Sequence, residues 1–341
     1  RKVLDLLLAL LTQTRIDDNA INAAKQVVER EDGGHYSHLQ RFLDRQDLGH
    51  TASNQLAVEL GLKCPERAEV DHLTRDQLEK VRKAWYAPNN MTLIVVGDLE
   101  RLLPAYLERS YGALEAVDPT DHPPLPAIQA SAAHERTLSH GFVGGSAKLH
   151  WLLPEPVQED RHDETFDLLK DYLDWALYRQ LRLAHGLSYG PSVEREVFGG
   201  VGFMSLNADL ERDDVPEAER VLDNLKAGLL RDGLKAGTFN RIKQAAIARQ
   251  AWAVQGNSAL ADYYWSALGD YEDGRFADPA KELEGVTLEE ANKAMRELLM
   301  QPGYLRIEKP LISDDQFVWA IAGVFGLFVL GLLAWRVHRR K

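Results

Sequence analysis

The sequence contains one cysteine, Cys64, in 341 residues, so it cannot form an internal disulfide bond, and thiolates alone cannot build a zinc site. Positive charge is also scarce, since 40 Lys and Arg residues stand against 52 Asp and Glu residues and give a formal net charge of -12. A chain this acidic has no overall positive field to attract a phosphate backbone, which argues against nucleic-acid binding. With 45% hydrophobic and 27% charged residues, the composition is that of a folded globular protein rather than a disordered one.

Several short motifs of catalysis and cofactor binding are missing. The sequence has no P-loop GxxxxGK[ST], no dinucleotide-binding GxGxxG and neither of the zinc-peptidase motifs HExxH and HxxEH. His35 and His38 have a spacing that could hold a metal, but they follow a Gly-Gly break and have no third ligand nearby in the sequence. A solvated loop pair is the preferred interpretation of these two histidines.

One long hydrophobic run stands near the end of the chain. Phe317–Trp335 contains 19 residues without a charge, and a helix of that length spans roughly 28 Å, about the thickness of a bilayer core. Two aspartates precede the run, whereas residues 336–341 carry four positive charges. The positive-inside rule therefore predicts a single-pass transmembrane helix with a basic cytoplasmic tail and with the rest of the chain in the periplasm or otherwise outside the cytoplasm.

The remaining chain divides near its middle. The segment 118–126 holds four prolines in nine residues, which excludes a helix or a central strand there. We interpret 113–135 as a linker between a first lobe, 1–112, and a second lobe, 136–312. The pattern in the first lobe predicts helices over Val3–Leu11, Ile16–Glu31 and Thr74–Tyr86, followed by a strand over Met91–Val96.

The second lobe alternates short strand patterns with long helical ones. Strands are predicted over Ala147–Leu153, Ser188–Val197, Gly200–Asn207 and Tyr304–Ile307. Helices are predicted over Thr165–Leu183, Pro216–Arg231, Thr238–Gln255 and Leu288–Leu299. Strands in pairs and helices in runs favour an α+β fold over a regularly alternating βαβ fold.

Glu31 ends a helical pattern whose apolar stripe includes Ala24 and Val27. Its spacing from these residues places it on the same helix face, and an inward carboxylate is costly unless it is paired or binds a metal. The alternative is that Glu31 simply lies at an exposed helix end, before Asp32 and the Gly-Gly break. The spacing alone leaves both interpretations open.

Arg182 and Tyr189 form a second candidate pair. Arg182 lies in the last turn of a predicted helix, Gly186 turns the chain, and Tyr189 opens the next strand. Separated by such a turn, the guanidinium and the phenol could face one cleft and donate hydrogen bonds to a substrate carbonyl. The alternative is a helix-end arginine beside a tyrosine that packs by its ring.

Two longer segments carry a resemblance to a known family. WYAPNNMTLIVVGDLE (Trp85–Glu100) and LRLAHGLSYG (Leu181–Gly190) resemble, in family order, two segments of the pitrilysin/insulinase zinc metallopeptidases, most closely the bacterial and mitochondrial-processing-peptidase branch. The resemblance extends from Val3 to about Ile307. It implies two similar α+β lobes, each a mostly antiparallel sheet packed with helices, around a proteolytic chamber.

The resemblance also implies roles for the candidate residues. Glu31 matches the position of the third zinc ligand, and Arg182 and Tyr189 match the pair that contacts substrate and steadies the tetrahedral intermediate. The family's H-x-x-E-H motif, which supplies two zinc ligands and the general base, is absent, and we expect it upstream of Arg1. Ala24 occupies a position where active members usually carry a glutamate.

Two functions follow from the resemblance. The first is a membrane-anchored zinc endopeptidase that hydrolyses peptides or unfolded segments. This chain would be part of that enzyme, and because it lacks H-x-x-E-H it would hold no zinc and be inactive alone. The second is a catalytically silent homologue that binds peptides or partners an active subunit. Either protein could form a homodimer or a heterodimer with another family subunit.

Overall fold

The computed structural model describes residues 1–31, 52–63, 70–118, 132–139, 141–156, 163–271, 276 and 278–339. These residues fall into two compact units, each assembled from separate stretches of the chain. The first unit contains 1–31, 70–118 and the described residues between 243 and 285, and the second contains 52–63, those between 132 and 242, and 286–339. Cys64, His35 and His38 lie outside the described residues.

The described helices are, in chain order, α1 (Lys2–Gln13), α2 (Asp18–Glu31), α3 (Ala52–Glu59), α4 (Arg75–Trp85), α5 (Leu103–Ser110), α6 (Asp163–Leu177), α7 (Val215–Asp232), α8 (Ala236–Ala253), α9 (Asn257–Ser266), α10 (Pro279–Gly285), α11 (Leu288–Met300) and α12 (Asp314–His338). The described strands are β1 (Glu135–Ser139), β2 (Ser146–Pro154), β3 (Ser192–Phe198), β4 (Val201–Glu211) and β5 (Tyr304–Lys309). A mixed α+β fold, as predicted from the sequence, is confirmed.

The described part of the first unit is helical. The helices predicted over Val3–Leu11, Ile16–Glu31 and Thr74–Tyr86 are confirmed as α1, α2 and α4. α4 begins where expected because Thr74 forms a capping box, in which its hydroxyl accepts from the Gln77 amide and the Gln77 side chain accepts from the Thr74 amide.

The strand predicted over Met91–Val96 is wrong. This segment follows a single 3₁₀ turn, Pro88–Asn90, and forms no strand, although Met91 itself has extended backbone angles. A strand is stabilised by hydrogen bonds to a neighbour, and the described residues of the first unit contain no second strand to provide them. The sheet expected in the first lobe is therefore not found among those residues.

The second unit contains one five-stranded sheet with strand order β1-β5-β2-β4-β3. β5 pairs with β1 in parallel, and the other three pairings are antiparallel, so this sheet is mostly antiparallel, as expected. β1 was not predicted, because it begins at Glu135, the last residue assigned to the linker.

The two faces of the sheet are covered differently. On one face, α6 and α11 lie against the sheet, and α7 packs on α11. The buried strand residues of this face include Ala147, Leu149 and Leu153 of β2, Val193 of β3, and Met204, Leu206, Ala208 and Leu210 of β4. On the other face, Leu56 and Leu60 from α3 and its following turn pack in one cluster with Leu152 and Phe203.

α3 is also fixed to the sheet by charge. Glu59 lies 2.9 Å from Nη2 of Arg306 on β5, and it forms a further short ion pair with Arg136 on β1. The Arg306 side chain is completely buried. Because these residues are far apart in sequence, this cluster joins three distant stretches of the chain into one unit.

α12 begins immediately after the sheet. It includes the predicted span 317–335, and it is the one helix among the described residues that is long and apolar enough to cross a membrane. Its described side chains from Phe317 to Trp335 are all exposed. The helix therefore does not pack on the second unit beyond its first turn.

Candidate functional site

The Arg182–Tyr189 pair lies where α6 ends. After Leu177 the helix widens into a π-helical segment, Tyr178–Ala184, a rare conformation that occurs often at functional sites. Leu181 is buried, and its carbonyl accepts a hydrogen bond of 2.7 Å from the Leu187 amide. Gly186 then reverses the chain with φ of 66°, a backbone angle that favours glycine.

This turn brings the two predicted residues into direct contact. Nη1 of Arg182 donates a hydrogen bond of 2.6 Å to the backbone carbonyl of Tyr189, and the guanidinium lies 4.2 Å from the centre of the Tyr189 ring. The guanidinium also lies 5.1 Å from the ring of Tyr178. Two aromatic contacts and one hydrogen bond therefore hold the guanidinium in one orientation.

The pair remains open to a ligand. Tyr189 is 84% exposed. In the part of the chain that the structure describes, no carboxylate forms an ion pair with Arg182, and the Tyr189 hydroxyl makes no hydrogen bond. The guanidinium thus keeps a positive charge and unused N–H donors beside a free phenol, and both groups can donate to carbonyl or carboxylate oxygens.

Sequence reasoning missed Tyr178 as a member of this cluster. The signal was present, because Tyr178 precedes Arg182 by four residues, a spacing that places two side chains together on a helix surface. The π-helical widening itself has no comparable signal in the sequence.

Glu31 is the last residue of α2, and it is exposed. The inward orientation suggested by the apolar stripe is not observed, because Val27 of that stripe is itself 51% exposed. The alternative, an exposed helix end, agrees with the structure.

The family resemblance implies a zinc ion, and zinc is bound by His, Cys, Asp and Glu side chains. No group of three or more His, Cys, Asp or Glu side chains lies close enough together to hold a metal in the described ranges. A catalytic zinc needs three protein ligands, so the described residues do not fit the ion by themselves. The role of Glu31 as a ligand depends on groups outside them.

A cavity of about 480 Å³ opens beside the pair, between the end of α6 and α7. His185, from the turn after the π-helical segment, lines it, whereas Arg182 and Tyr189 do not. The predicted pair therefore lies on the surface beside this cavity rather than within it.

Comparisons with known proteins bear on the region that carries the pair. The family described as the peptidase M16 inactive domain matches residues 72–246, just over half of the chain, which include Arg182 and Tyr189 but not Glu31. No curated protein sequence matches the chain.

Solved structures share the fold. A peptidase M16 inactive domain from Pseudomonas fluorescens matches with a TM-score of 0.68 and 16% identity over 91% of this chain and 75% of that one. The periplasmic protease PqqL from Escherichia coli matches with a TM-score of 0.65 and 16% identity over 90% of this chain. A mutant of the ferredoxin protease FusC, in complex with Arabidopsis ferredoxin, matches with a TM-score of 0.63 and 14% identity over 91% of this chain.

The chain spans only 36% of PqqL and 34% of that FusC chain, and at these identities the structural likeness shows the fold alone. The family match shows more than the fold because it is a sequence match that covers more than half of the chain. The resemblance to the insulinase-type peptidases is thereby confirmed at the level of the family. The chain belongs to the peptidase M16 family, through its inactive domain.

Proposed function

We propose that this protein is a membrane-anchored, catalytically silent member of the M16 family that binds peptides or unfolded segments through Arg182 and Tyr189. The observation that carries the proposal is the pre-formed, exposed contact between these two residues inside the segment that matches the inactive domain. Ala24, which stands where the resemblance implies a glutamate in active members, supports a binding role over a catalytic one.

The chemistry of the pair suits an extended polypeptide. A peptide backbone presents carbonyl oxygens, and the free N–H groups of Arg182 and the Tyr189 hydroxyl would donate to them. Because stacking already orients the guanidinium, little side-chain entropy would be lost on binding. A hydrogen bond from a charged group contributes about 1.5–3 kcal/mol, which corresponds to roughly a tenfold to hundredfold change in affinity.

A second candidate function is a part of a zinc endopeptidase. Glu31 favours it, since this residue stands at the helix position that the resemblance assigns to the third zinc ligand. The proteases PqqL and FusC, of which the chain spans about a third, are consistent with it. In that case the remaining ligands and the general base would come from outside the described residues, and Arg182 and Tyr189 would steady the tetrahedral intermediate.

Both candidates include a membrane anchor. The exposed apolar side chains of α12 and the basic residues at its end support a single span with a cytoplasmic tail and with both units outside the cytoplasm. PqqL, a periplasmic protease, is consistent with that side of the membrane.

The binding proposal is tested with the full chain in lipid nanodiscs and a fluorescent, unstructured peptide, by fluorescence anisotropy. Arg182→Gln and Tyr189→Ala should each weaken binding about tenfold or more. Arg231→Gln is the matched control, because Arg231 is an exposed arginine paired with Asp232 on the surface of α7. Equal affinity for wild type and both site variants would contradict the proposal.

The same assay, repeated on the intact natural protein, separates the two candidates, since neither of them predicts cleavage by this chain alone. The silent protein should leave the peptide intact when zinc is added. Cleavage that requires zinc and is abolished by Glu31→Gln would instead establish the peptidase and the role of Glu31 as a ligand.

A further inference from the structure

The second unit has one end that lies next to the root of α12. β1 and β5 both finish at this end, at Ser139 and Lys309, because they run in parallel. β2 is antiparallel to β5 and starts there, since Lys148 pairs with Glu308. β4 ends there, since its last residue, Glu211, pairs with Ser146 of β2. α12 begins at Asp314, only four residues after β5.

The connection between the sheet and α12 is held by hydrogen bonds. The amides of Leu311 and Ile312 donate to the carbonyls of Gly141 and Phe142 at 3.3 and 3.0 Å, and the Gly144 amide donates back to Ile312 at 3.2 Å. A connection with this many backbone hydrogen bonds does not behave as a flexible linker. The orientation of the second unit relative to α12 is therefore fixed at the helix root.

The first turn of α12 is tied to the same end of the unit. The Gln316 amide donates to the Ser313 hydroxyl at 3.1 Å, and Nη1 of Arg212, which follows β4, lies 3.4 Å from the Gln316 side-chain oxygen. These contacts hold the helix at its start, so the end of the sheet stays beside it.

Two large apolar side chains are exposed at this end. Phe142 is 52% exposed and Leu311 is 46% exposed, and their backbones are joined through the hydrogen bonds described above. Phe317, the first residue of the apolar run, lies five residues after Ile312. At 1.5 Å per helical residue and at most about 3.5 Å per extended one, Ile312 lies within about 12 Å of Phe317. The backbone of Phe142 is hydrogen-bonded to Ile312.

We propose that Phe142 and Leu311 insert into the lipid headgroup region, so that this end of the sheet rests on the bilayer. The inference depends on the proposed membrane anchor. If α12 spans the bilayer, the headgroup region begins at Phe317 and extends roughly 5–8 Å outward, which is within reach of an aromatic side chain held at the helix root. The occupant of this surface is lipid because the surface continues directly from the lipid-facing helix.

The inference also locates the candidate binding pair. Ser192 of β3 pairs with Asn207, four residues before β4 ends, so the chain enters β3 from the end that faces the bilayer. His185 lies 3.8 Å from Glu217, in the first turn of α7, and that turn follows the end of β4. The Arg182–Tyr189 pair therefore lies toward the membrane side of the unit, where it would meet polypeptide segments close to the bilayer.

Depth-dependent quenching tests the proposal in the full chain. In a Cys64→Ser background, Phe142→Cys carries an environment-sensitive fluorophore in phosphatidylcholine vesicles that contain lipids spin-labelled near the headgroup. Leu311→Cys provides a second site at the same surface. Val197→Cys is the matched control, because Val197 is 50% exposed and pairs with Gly202 at the opposite end of the sheet.

A label on Val324→Cys, inside α12, reports on the anchor separately through deeply spin-labelled lipids. We expect quenching at positions 142 and 311, with none at 197, while 324 is quenched by the deep label. Quenching at 324 with positions 142 and 311 as unquenched as 197 would overturn the inference and leave the anchor intact. No quenching at 324 would overturn the anchor, and the inference with it.

Discussion

Replacing Glu59 by alanine should strongly destabilise the second unit, because it would leave the buried guanidinium of Arg306 without its carboxylate. Arg306 is inaccessible to solvent, and its Nη2 lies 2.9 Å from Glu59. Its Nη1 donates to the backbone carbonyls of Ala133 and Leu305, and among the described atoms its Nε has no hydrogen-bond partner. The remaining neutral acceptors could not offset the burial of a full charge.

The magnitude follows from this geometry. Removing one partner of a buried ion pair costs about 3–5 kcal/mol, a large share of the roughly 5–15 kcal/mol that stabilises a typical domain. Glu59→Gln should cost less, about 1.5–3 kcal/mol, since an amide oxygen can still accept from Arg306. Arg136→Gln removes the more exposed partner of Glu59 and should cost less than about 1 kcal/mol.

A double variant separates the lost charge pair from lost packing. Glu59→Leu combined with Arg306→Met replaces the pair by apolar side chains of similar size, and such replacements are often neutral or stabilising. This variant should therefore recover most of the stability that Glu59→Ala loses.

Denaturant unfolding of the detergent-solubilised chain, followed by tryptophan fluorescence, measures these differences. Trp151 pairs with Leu305, the neighbour of Arg306, so it reports on this part of the sheet. The reasoning would be refuted if Glu59→Ala were no more destabilising than Arg136→Gln, or if the double variant were as unstable as Glu59→Ala.

Two further predictions concern a buried histidine and a turn. Burial lowers the pKa of His150, but the Glu308 carboxylate, 3.5 Å away, and the hydrogen bond to Asn207 outweigh it and raise the pKa above its usual value. The protonated imidazole therefore adds stability that is full below about pH 6.5 and is lost as the pH rises through the raised pKa. His150→Gln should lower the free energy of unfolding more in a denaturant titration at acidic pH than in one at alkaline pH. Equal losses at the two pH values would contradict this. Gly186→Ala should cost about 1–2 kcal/mol in thermal unfolding because φ is 66°, whereas Gly190→Ala, without a positive φ, should be nearly neutral; equal costs would argue against strain.

Local features of the fold were predictable from the sequence because their causes are local. The four strand patterns and the four helical patterns of the second lobe each correspond to an observed element, as the apolar periodicity and the breaking glycines and prolines indicated. The Arg182–Tyr189 contact could be predicted for the same reason, since one helix end and one turning glycine lie within eight residues, although Tyr189 lies in the turn before β3 and does not open the strand as expected.

Features that depend on distant partners were not predictable in this way. Glu59 and Arg306 are 247 residues apart, and neither residue carries a sign of the other in its local sequence. Met91–Val96 has the composition of a buried strand, but a strand also needs a neighbour, which periodicity does not reveal. The apolar stripe around Glu31 failed similarly, because burial depends on what covers a helix face.

The Arg182–Tyr189 pair depends on local contacts and not on the zinc site that the resemblance implies. Everything that holds Arg182 in place comes from its own segment: the buried Leu181, the turn at Gly186, and the rings of Tyr178 and Tyr189. None of these contacts involves Glu31. A family member without zinc ligands would therefore keep the basis proposed above for holding a peptide, since the guanidinium is oriented by local stacking and needs no metal to position it.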